Sequence, residues 1–146
     1  SWAERVDLKT GRPVEREEAL WSTKDAMVSP APMGGHSWHP MSFHPGTGLV
    51  YIPAMENAHP YLPSERFRYR PGAWNTGEDF TRLAESIENY PALREIPCGL
   101  TRLIAWDPRK GEKAWEVRHD SGVLGGTLAT AGGLVFQGAG QGQFKA

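Results

Sequence analysis

The sequence predicts an all-β fold built from antiparallel hairpins. Six Trp, four Tyr and five Phe accompany 17 Gly and 12 Pro, a composition that favours short strands and frequent turns over long helices. A hydrophobic content of 39% argues against an extended disordered chain. Two apolar segments of similar sequence, Leu49–Ala54 (LVYIPA) and Leu134–Ala139 (LVFQGA), form an internal repeat. A repeated hairpin is typical of a β-propeller or a related β array.

Three hairpins follow one another along the chain. The first, Met41–Ala54, turns through His44–Gly48, where Pro and Gly supply the backbone angles of a short connection. The second spans Leu103–Val117, and the third, Thr127–Ala139, turns through two consecutive glycines. Each consists of β-favouring residues on both sides of a turn, which predicts paired strands.

An insertion is predicted between the first two hairpins, at about residues 56–97. It is rich in Pro, Arg, Asn and Glu, and its one helical pattern is Glu78–Asn89, with Thr76 as a candidate cap. The apolar residues of that pattern share one helical face: Phe80, Leu83, Ala84 and Ile87. Because long connections are uncommon in compact domains, we expect the insertion to cover a surface or a site.

The second hairpin carries the spacing Ala-x-Asp-x-x-x-Gly-x-x-x-Trp. Ala105 leaves room for a neighbouring indole, Asp107 accepts hydrogen bonds from turn amides, and Gly111 adopts a positive φ. Trp115 offers a large flat surface. We therefore expect Trp115 to be buried against a neighbouring unit of sheet. The alternative is an ordinary hairpin that happens to contain two tryptophans.

Charge and cysteine content restrict the partners. The formal charge is −1, with 16 Lys and Arg against 17 Asp and Glu, so no basic field holds a phosphate backbone and we exclude nucleic acid. No apolar run approaches the roughly 20 residues needed to span a bilayer, and no N-terminal signal pattern is present. Cys98 is the one cysteine, which excludes a disulfide framework within the chain.

These motifs resemble, in the same order, those of the pyrroloquinoline quinone (PQQ)-dependent quinoprotein and quinohaemoprotein alcohol dehydrogenases. The spacing around Trp115 looks like that family's tryptophan-docking motif. Gly34–Ala54 (GGHSWHPMSFHPGTGLVYIPA) is similar to its signature Gly-Gly-His-Asn-Trp-His-Pro-Met-Ser-Phe-Asn-Pro. Trp2–Pro13 and Gly125–Gly138 resemble strands of two other blades, and Pro71–Phe80 resembles an insertion of the quinohaemoprotein branch. The resemblance covers nearly the whole chain.

The resemblance implies part of an eight-bladed β-propeller with tryptophan-docking motifs. The chain matches the C-terminal part of that propeller domain, about one full blade plus parts of two neighbours. It is then one partial domain over residues 1–146, with the insertion at about 56–97. The remaining blades of the parent protein are its expected partners, or copies of the chain itself through self-association.

The resemblance also implies chemistry. Family members oxidise primary alcohols or aldehydes in the periplasm with PQQ and calcium, and electrons pass to a cytochrome c or to haem c in the same protein. The Asn-Trp step of the signature lies against the quinone, and the matching residues are Ser37 and Trp38. A Trp edge adds dry contact area and an N–H donor beside a flat cofactor. Ser37 departs from the usual Asn, so its shorter hydroxyl loses that hydrogen bond or makes it through water.

No residue of the chain matches the family's catalytic Asp, its calcium ligands or the Trp that stacks on the cofactor. The resemblance therefore implies no catalytic and no metal-binding residue here, and no alcohol oxidation by the chain alone. Histidines at positions 36, 39, 44 and 59 suggest a metal site, which we disfavour because strand residues three apart point to opposite faces. The alternatives to an enzyme segment are a non-catalytic propeller scaffold for protein–protein interaction and a small inactive β domain.

Overall fold

The computed structural model describes residues 1–83, 100–119 and 124–146, and these residues are mostly β-strand. The strands are β1 (Ala3–Val6), β2 (Pro13–Glu15), β3 (Ala26–Val28), β4 (Ser42–His44), β5 (Leu49–Glu56), β6 (His59–Tyr61), β7 (Leu100–Asp107), β8 (Glu112–His119), β9 (Leu124–Ala129), β10 (Val135–Ala139) and β11 (Gln143–Lys145). Two short 3₁₀-helices span Glu17–Ala19 and Gly140–Gly142. Within the described ranges, no helix is long and apolar enough to cross a membrane.

The strands form antiparallel sheets that confirm the three predicted hairpins. The largest sheet has the order β4-β5-β7-β8, so it contains the first and second hairpins side by side. A second sheet, β11-β10-β9, contains the third hairpin. Two smaller sheets pair β1 with β2 and β3 with β6.

The chain divides into two compact units. The first consists of residues 1–32 and 58–96, and the second of residues 33–57 and 97–146. The core of the first contains Ala19, Ala26 and Val28, packed against Trp21 and Tyr61. The core of the second contains Tyr51, Leu103 and Ala105, packed against Leu49, Ala129 and Val135.

A row of three residues crosses the largest sheet at Ala105. Tyr51 on β5 and Trp115 on β8 are both register partners of Ala105 on β7. Ala105 is fully buried, and the rings of Tyr51 and Trp115 lie 5.7 Å apart between centroids. The small side chain of Ala105 thus leaves room for the Trp115 indole, as predicted, and lets it meet the ring of Tyr51 from a non-adjacent strand.

The turn of the second hairpin has the predicted chemistry. Asp107 Oδ1 accepts hydrogen bonds from the backbone N–H groups of Arg109 (3.0 Å) and Lys110 (3.3 Å). Gly111 has φ +69° and donates its N–H to the Asp107 carbonyl at 2.9 Å. Trp115 is 40% exposed, so its burial against a neighbouring blade stays a prediction.

The short helix predicted within about Glu78–Asn89 does not begin at Glu78. Glu78 forms an antiparallel bridge with Pro63, and residues 80–82 form turns. Thr76 Oγ1 accepts the Glu78 N–H at 3.3 Å, as a capping side chain would. Asp79 Oδ1 accepts two further hydrogen bonds, from Thr81 N–H (3.0 Å) and Thr81 Oγ1 (2.6 Å). Leu83 is helical, and residues 84–89 of the prediction lie outside the described residues.

Candidate cofactor-contact site

The segment Gly34–Pro40, which contains both predicted site residues, is fixed to β5 at its beginning. The Met55 N–H donates to the Gly35 carbonyl at 2.8 Å. His36 Nδ1 lies 2.7 Å from the Pro53 carbonyl oxygen, so Nδ1 carries the proton and donates it. Gly34 has φ +75°, which only glycine adopts without strain. These contacts determine where the chain enters the segment.

The end of the segment is fixed to β9. The Pro40 carbonyl accepts the Thr127 N–H at 2.9 Å. The Thr127 hydroxyl donates to the Tyr51 carbonyl at 3.2 Å and lies 2.9 Å from Ser42 Oγ. A Cβ atom at Gly126 would come within 2.6 Å of Pro40 Cδ, so the segment approaches β9 closely because Gly126 has no side chain.

Trp38 projects from this doubly anchored segment. The residue is 76% exposed, whereas the following His39 is only 8% exposed. The two rings stack, with centroids 4.3 Å apart and planes 22° apart. A buried imidazole therefore supports the exposed indole, and His39 Nδ1 is buried without a hydrogen-bond partner within the residues described.

Ser37 lies beside Trp38 in sequence and is half-buried. In the described part of the chain its hydroxyl makes no hydrogen bond, so both donor and acceptor remain available to a ligand. The structure thus places the flat, exposed ring of Trp38 directly after a serine whose hydroxyl has no competing hydrogen bond. These features fit an edge contact with a flat ligand that carries oxygen acceptors, such as a quinone.

Three histidines make side-chain contacts within the chain. His44 Nδ1 accepts the Thr47 N–H at 3.2 Å, and His59 Nε2 lies 2.7 Å from Glu78 Oε1. His119 Nε2 lies 2.9 Å from Gln137 Oε1. Over residues 1–83, 100–119 and 124–146, no group of three His, Cys, Asp or Glu is arranged to hold a metal ion.

Two features of the site were absent from the sequence predictions. His39 supports the Trp38 ring, and no local sequence pattern predicts that the two rings stack. Gly126 permits the close approach of Pro40, and here a signal existed, because a glycine within a strand often marks a nearby backbone. The partner of that glycine is more than eighty residues away in sequence, so the contact itself was not predictable from the pattern.

The chain as a whole is similar to several known proteins. No family model matches the chain. The chain is 43% identical, over 151 aligned residues, to quinohemoprotein alcohol dehydrogenase ADH IIB of Pseudomonas putida. It is 38% identical, over 155 residues, to the quinohemoprotein alcohol dehydrogenase of Comamonas testosteroni. Each alignment covers 100% of this chain and 20% of the relative, so the chain spans about a fifth of the length of these proteins.

Solved structures agree. The structure of quinohemoprotein alcohol dehydrogenase ADHIIG from Pseudomonas putida HK5 matches 95% of this chain and 21% of its own, with a TM-score of 0.76 and 37% identity. A europium-containing methanol dehydrogenase matches 92% of this chain and 22% of its own, with a TM-score of 0.68 and 27% identity. Aligned over its whole length with such enzymes, the chain belongs to the family of the quinoprotein and quinohaemoprotein alcohol dehydrogenases.

Proposed function

We propose that the chain is a segment of a PQQ-dependent alcohol dehydrogenase and that Trp38, with Ser37, contacts the edge of the bound quinone. The observation that carries this proposal is the exposed indole of Trp38 held against the buried ring of His39. A ring that is already immobilised loses little entropy when a flat ligand packs on it, so the contact gains affinity from its preorganisation.

The proposal assigns different contributions to different groups. When bound, the quinone supplies the acceptor of the two electrons taken from the alcohol. Trp38 excludes water from one edge of the pocket and offers its indole N–H, while the Ser37 hydroxyl offers a hydrogen bond to a cofactor oxygen. No residue of this chain is proposed as the catalytic base or as a calcium ligand.

The parent enzyme is proposed to act in the periplasm on primary alcohols or aldehydes. Calcium would complete its cofactor site, and a cytochrome c or a haem c would accept the electrons. The propeller architecture of the parent is supported by the four-stranded antiparallel sheet β4-β5-β7-β8, since propeller blades are sheets of this kind. Within the parent, the chain would contribute propeller structure and the contact at Trp38. The alternative, a non-catalytic scaffold for other proteins, predicts no response of Trp38 to quinone.

The Trp38 contact is testable by NMR on the chain itself. Each of the six tryptophans contributes one indole N–H signal, and Trp38→Phe identifies the signal of Trp38. The chain is titrated with PQQ and calcium at high salt, which screens attraction of the anionic quinone to exposed arginines. We expect the Trp38 indole signal to shift most, because the quinone changes the ring environment at its edge.

Trp2 is the control for this titration. It is also exposed, at 42%, and no other ring is stacked on it within the described residues. A Trp38 signal that stays unchanged while others move would contradict the proposed contact. A largest shift at Trp2 would likewise contradict it, since exposure alone would then explain the response.

A further inference from the structure

A closed surface loop in the first unit spans Pro63–Glu78, and its two ends lie side by side. Pro63 and Glu78 form an antiparallel bridge, and the Ser64 N–H donates to the Gly77 carbonyl at 2.8 Å. Just outside the bridge, the Asp79 N–H donates to the carbonyl of the buried Leu62, also at 2.8 Å. Compact loops whose ends meet in this way frequently carry function. We call residues 63–78 the arginine loop.

The arginine loop is anchored at its base and braced at its tip. At the base, the buried Glu78 carboxylate lies 2.7 Å from His59 Nε2. At the tip, the Asn75 side chain accepts the Arg70 N–H at 2.8 Å and donates to the carbonyls of Arg70 (2.9 Å) and Ala73 (2.7 Å). One amide thus satisfies three backbone groups, which holds the tip in a single conformation.

The loop exposes large aromatic side chains. Trp74 is 85% exposed and Tyr69 is 71% exposed. Phe67 is exposed too, as is Phe80 just after the loop. Clustered exposed aromatics on a braced loop indicate a binding surface, because exposure forfeits the hydrophobic stabilisation that burial of these rings would give.

Three arginines accompany these rings. Arg66, Arg68 and Arg70 are exposed, and none of them is paired with a carboxylate in the part of the chain that the structure describes. The loop has two acids against these three cations, and one of the two, Glu78, is already bonded to His59. A cleft of about 180 Å³ lies within the loop. All three arginines line it, together with Phe67 and Trp74.

We propose that the arginine loop is a docking surface for a separate protein whose surface presents carboxylates beside an apolar side chain. Guanidinium groups bind carboxylates through paired hydrogen bonds, and an apolar side chain of the partner would pack against Trp74 in the cleft. Arg, Trp and Tyr are the residue types enriched at the energetic centres of protein interfaces.

Charge and shape distinguish this partner from other occupants. Three cations beside Glu65 are too few to follow a phosphate backbone. A bilayer surface would contact projecting residues, whereas here the three arginines line a cleft that could hold discrete carboxylates. A second copy of the chain is disfavoured because the two loops would bring like charges together.

The test uses a short fluorescein-labelled peptide in which Glu and Phe alternate, with fluorescence anisotropy as the readout. We expect saturable binding that weakens as NaCl rises. Arg68→Glu and Trp74→Ala should each weaken binding by about tenfold or more, because they remove a cation and an aromatic anchor from the same cleft.

Arg12→Glu is the matched control. Arg12 is an exposed residue in the turn between β1 and β2, and its substitution changes the net charge as much as Arg68→Glu does. Binding of the peptide to this variant should equal that of the wild type. Circular dichroism of all variants verifies that the fold is retained.

Several results would overturn the proposal. These are the absence of saturable binding, equal weakening by Arg12→Glu, and equally tight binding of a peptide in which Lys replaces Glu. Tighter binding to phosphatidylserine vesicles than to the acidic peptide would indicate a membrane surface instead. Self-association of the chain that Trp74→Ala abolishes would indicate a second copy as the occupant.

Discussion

Ala105 shows how one small residue organises a sheet. Its side chain lies in the register row between Tyr51 and Trp115, whose rings contact each other across it. The motif spacing predicted a small residue beside an indole, and Tyr51 as the second ring is a finding of the structure. The row explains why a residue this small occupies the centre of the largest sheet.

Ala105→Leu should destabilise the chain by about 1–3 kcal/mol, because the larger side chain has no space between the two rings. Urea denaturation measures the change. Ala114→Leu is the control, since Ala114 is exposed on the adjacent strand β8 and should change stability by less than about 0.5 kcal/mol. Equal losses in the two variants would show that Ala105 is not closely packed.

Trp115→Ala separates the contact with Tyr51 from the predicted contact with a neighbouring blade. In the chain alone, the substitution should lower the free energy of unfolding by about 0.5–1.5 kcal/mol more than the loss of buried apolar area does, which is the usual contribution of an aromatic pair. A cost of about 3–5 kcal/mol is expected only where a neighbouring blade covers the ring. Urea denaturation measures the loss in the chain alone. An unchanged denaturation midpoint would show that the contact between Trp115 and Tyr51 does not stabilise the fold.

Gly126→Ala tests the clamp on the Trp38 segment. The added methyl group would lie 2.6 Å from Pro40 Cδ, so either Pro40 moves or β9 does. We expect a loss of about 1–3 kcal/mol and a changed Trp38 indole signal in NMR spectra. Gly132→Ala is the control, because its nearest neighbour would be Thr130 Oγ1 at 3.9 Å. Identical spectra for Gly126→Ala and wild type would show that Trp38 does not depend on this contact.

At the scale of elements, strands β7 and β8 are joined by an ion cluster around Glu116. The Glu116 carboxylate lies 2.7 Å from Lys113 Nζ, 3.1 Å from Arg102 Nη1 and 3.3 Å from Arg118 Nε. Arg102 also pairs with Glu56 on β5. The hydrogen bond from Lys113, followed by those from the two arginines, lowers the pKa of Glu116 from 4.5 to about 2.

This pKa predicts the acid stability of the largest sheet. Because the folded-state pKa lies below the unfolded one, Glu116 stabilises the fold above about pH 4.5, and this contribution is lost as the pH falls toward 2. Glu116→Gln should therefore flatten the dependence of unfolding free energy on pH in that window. Glu112→Gln, an exposed change in the same strand, should leave the slope as in the wild type. If both variants kept the wild-type slope, the cluster would not be coupled to folding.

The hairpins were predictable because their signals are local. Turn residues such as Asp107 and Gly111 satisfy the backbone within a few positions, and alternating apolar residues fix the faces of the strands. The helix does not begin at Glu78, where the local pattern starts, because the bond from Glu78 to His59 and the bridge from Glu78 to Pro63 override that pattern. Tertiary contacts of this kind outweigh helix propensity, which is a weak preference.

The site was predictable only in part. Ser37 and Trp38 were identified by resemblance, and their contact with the quinone remains a prediction. The support of Trp38 by His39 depends on side-chain stacking, and the clamp at Pro40 depends on β9. Neither contact produces a periodic pattern in the sequence, because each depends on how the tertiary fold positions the side chains.

At the scale of the whole molecule, the chain aligns with about a fifth of each dehydrogenase that it matches. We propose that the chain contributes part of the wall of the quinone pocket, and that it contributes neither the catalytic base nor the metal ligands. Catalysis of this kind needs a base, a divalent cation and the cofactor held together in a preorganised pocket. The contact at Trp38 alone does not supply that arrangement.

The most direct test is a turnover assay of the purified chain with PQQ, calcium, ethanol and an artificial electron acceptor. We predict dye reduction no faster than in the protein-free control, because binding at Trp38 does not place a base against the alcohol. Turnover above that control, lost on heat denaturation of the chain, would contradict the account and show that residues of this chain form a complete active site.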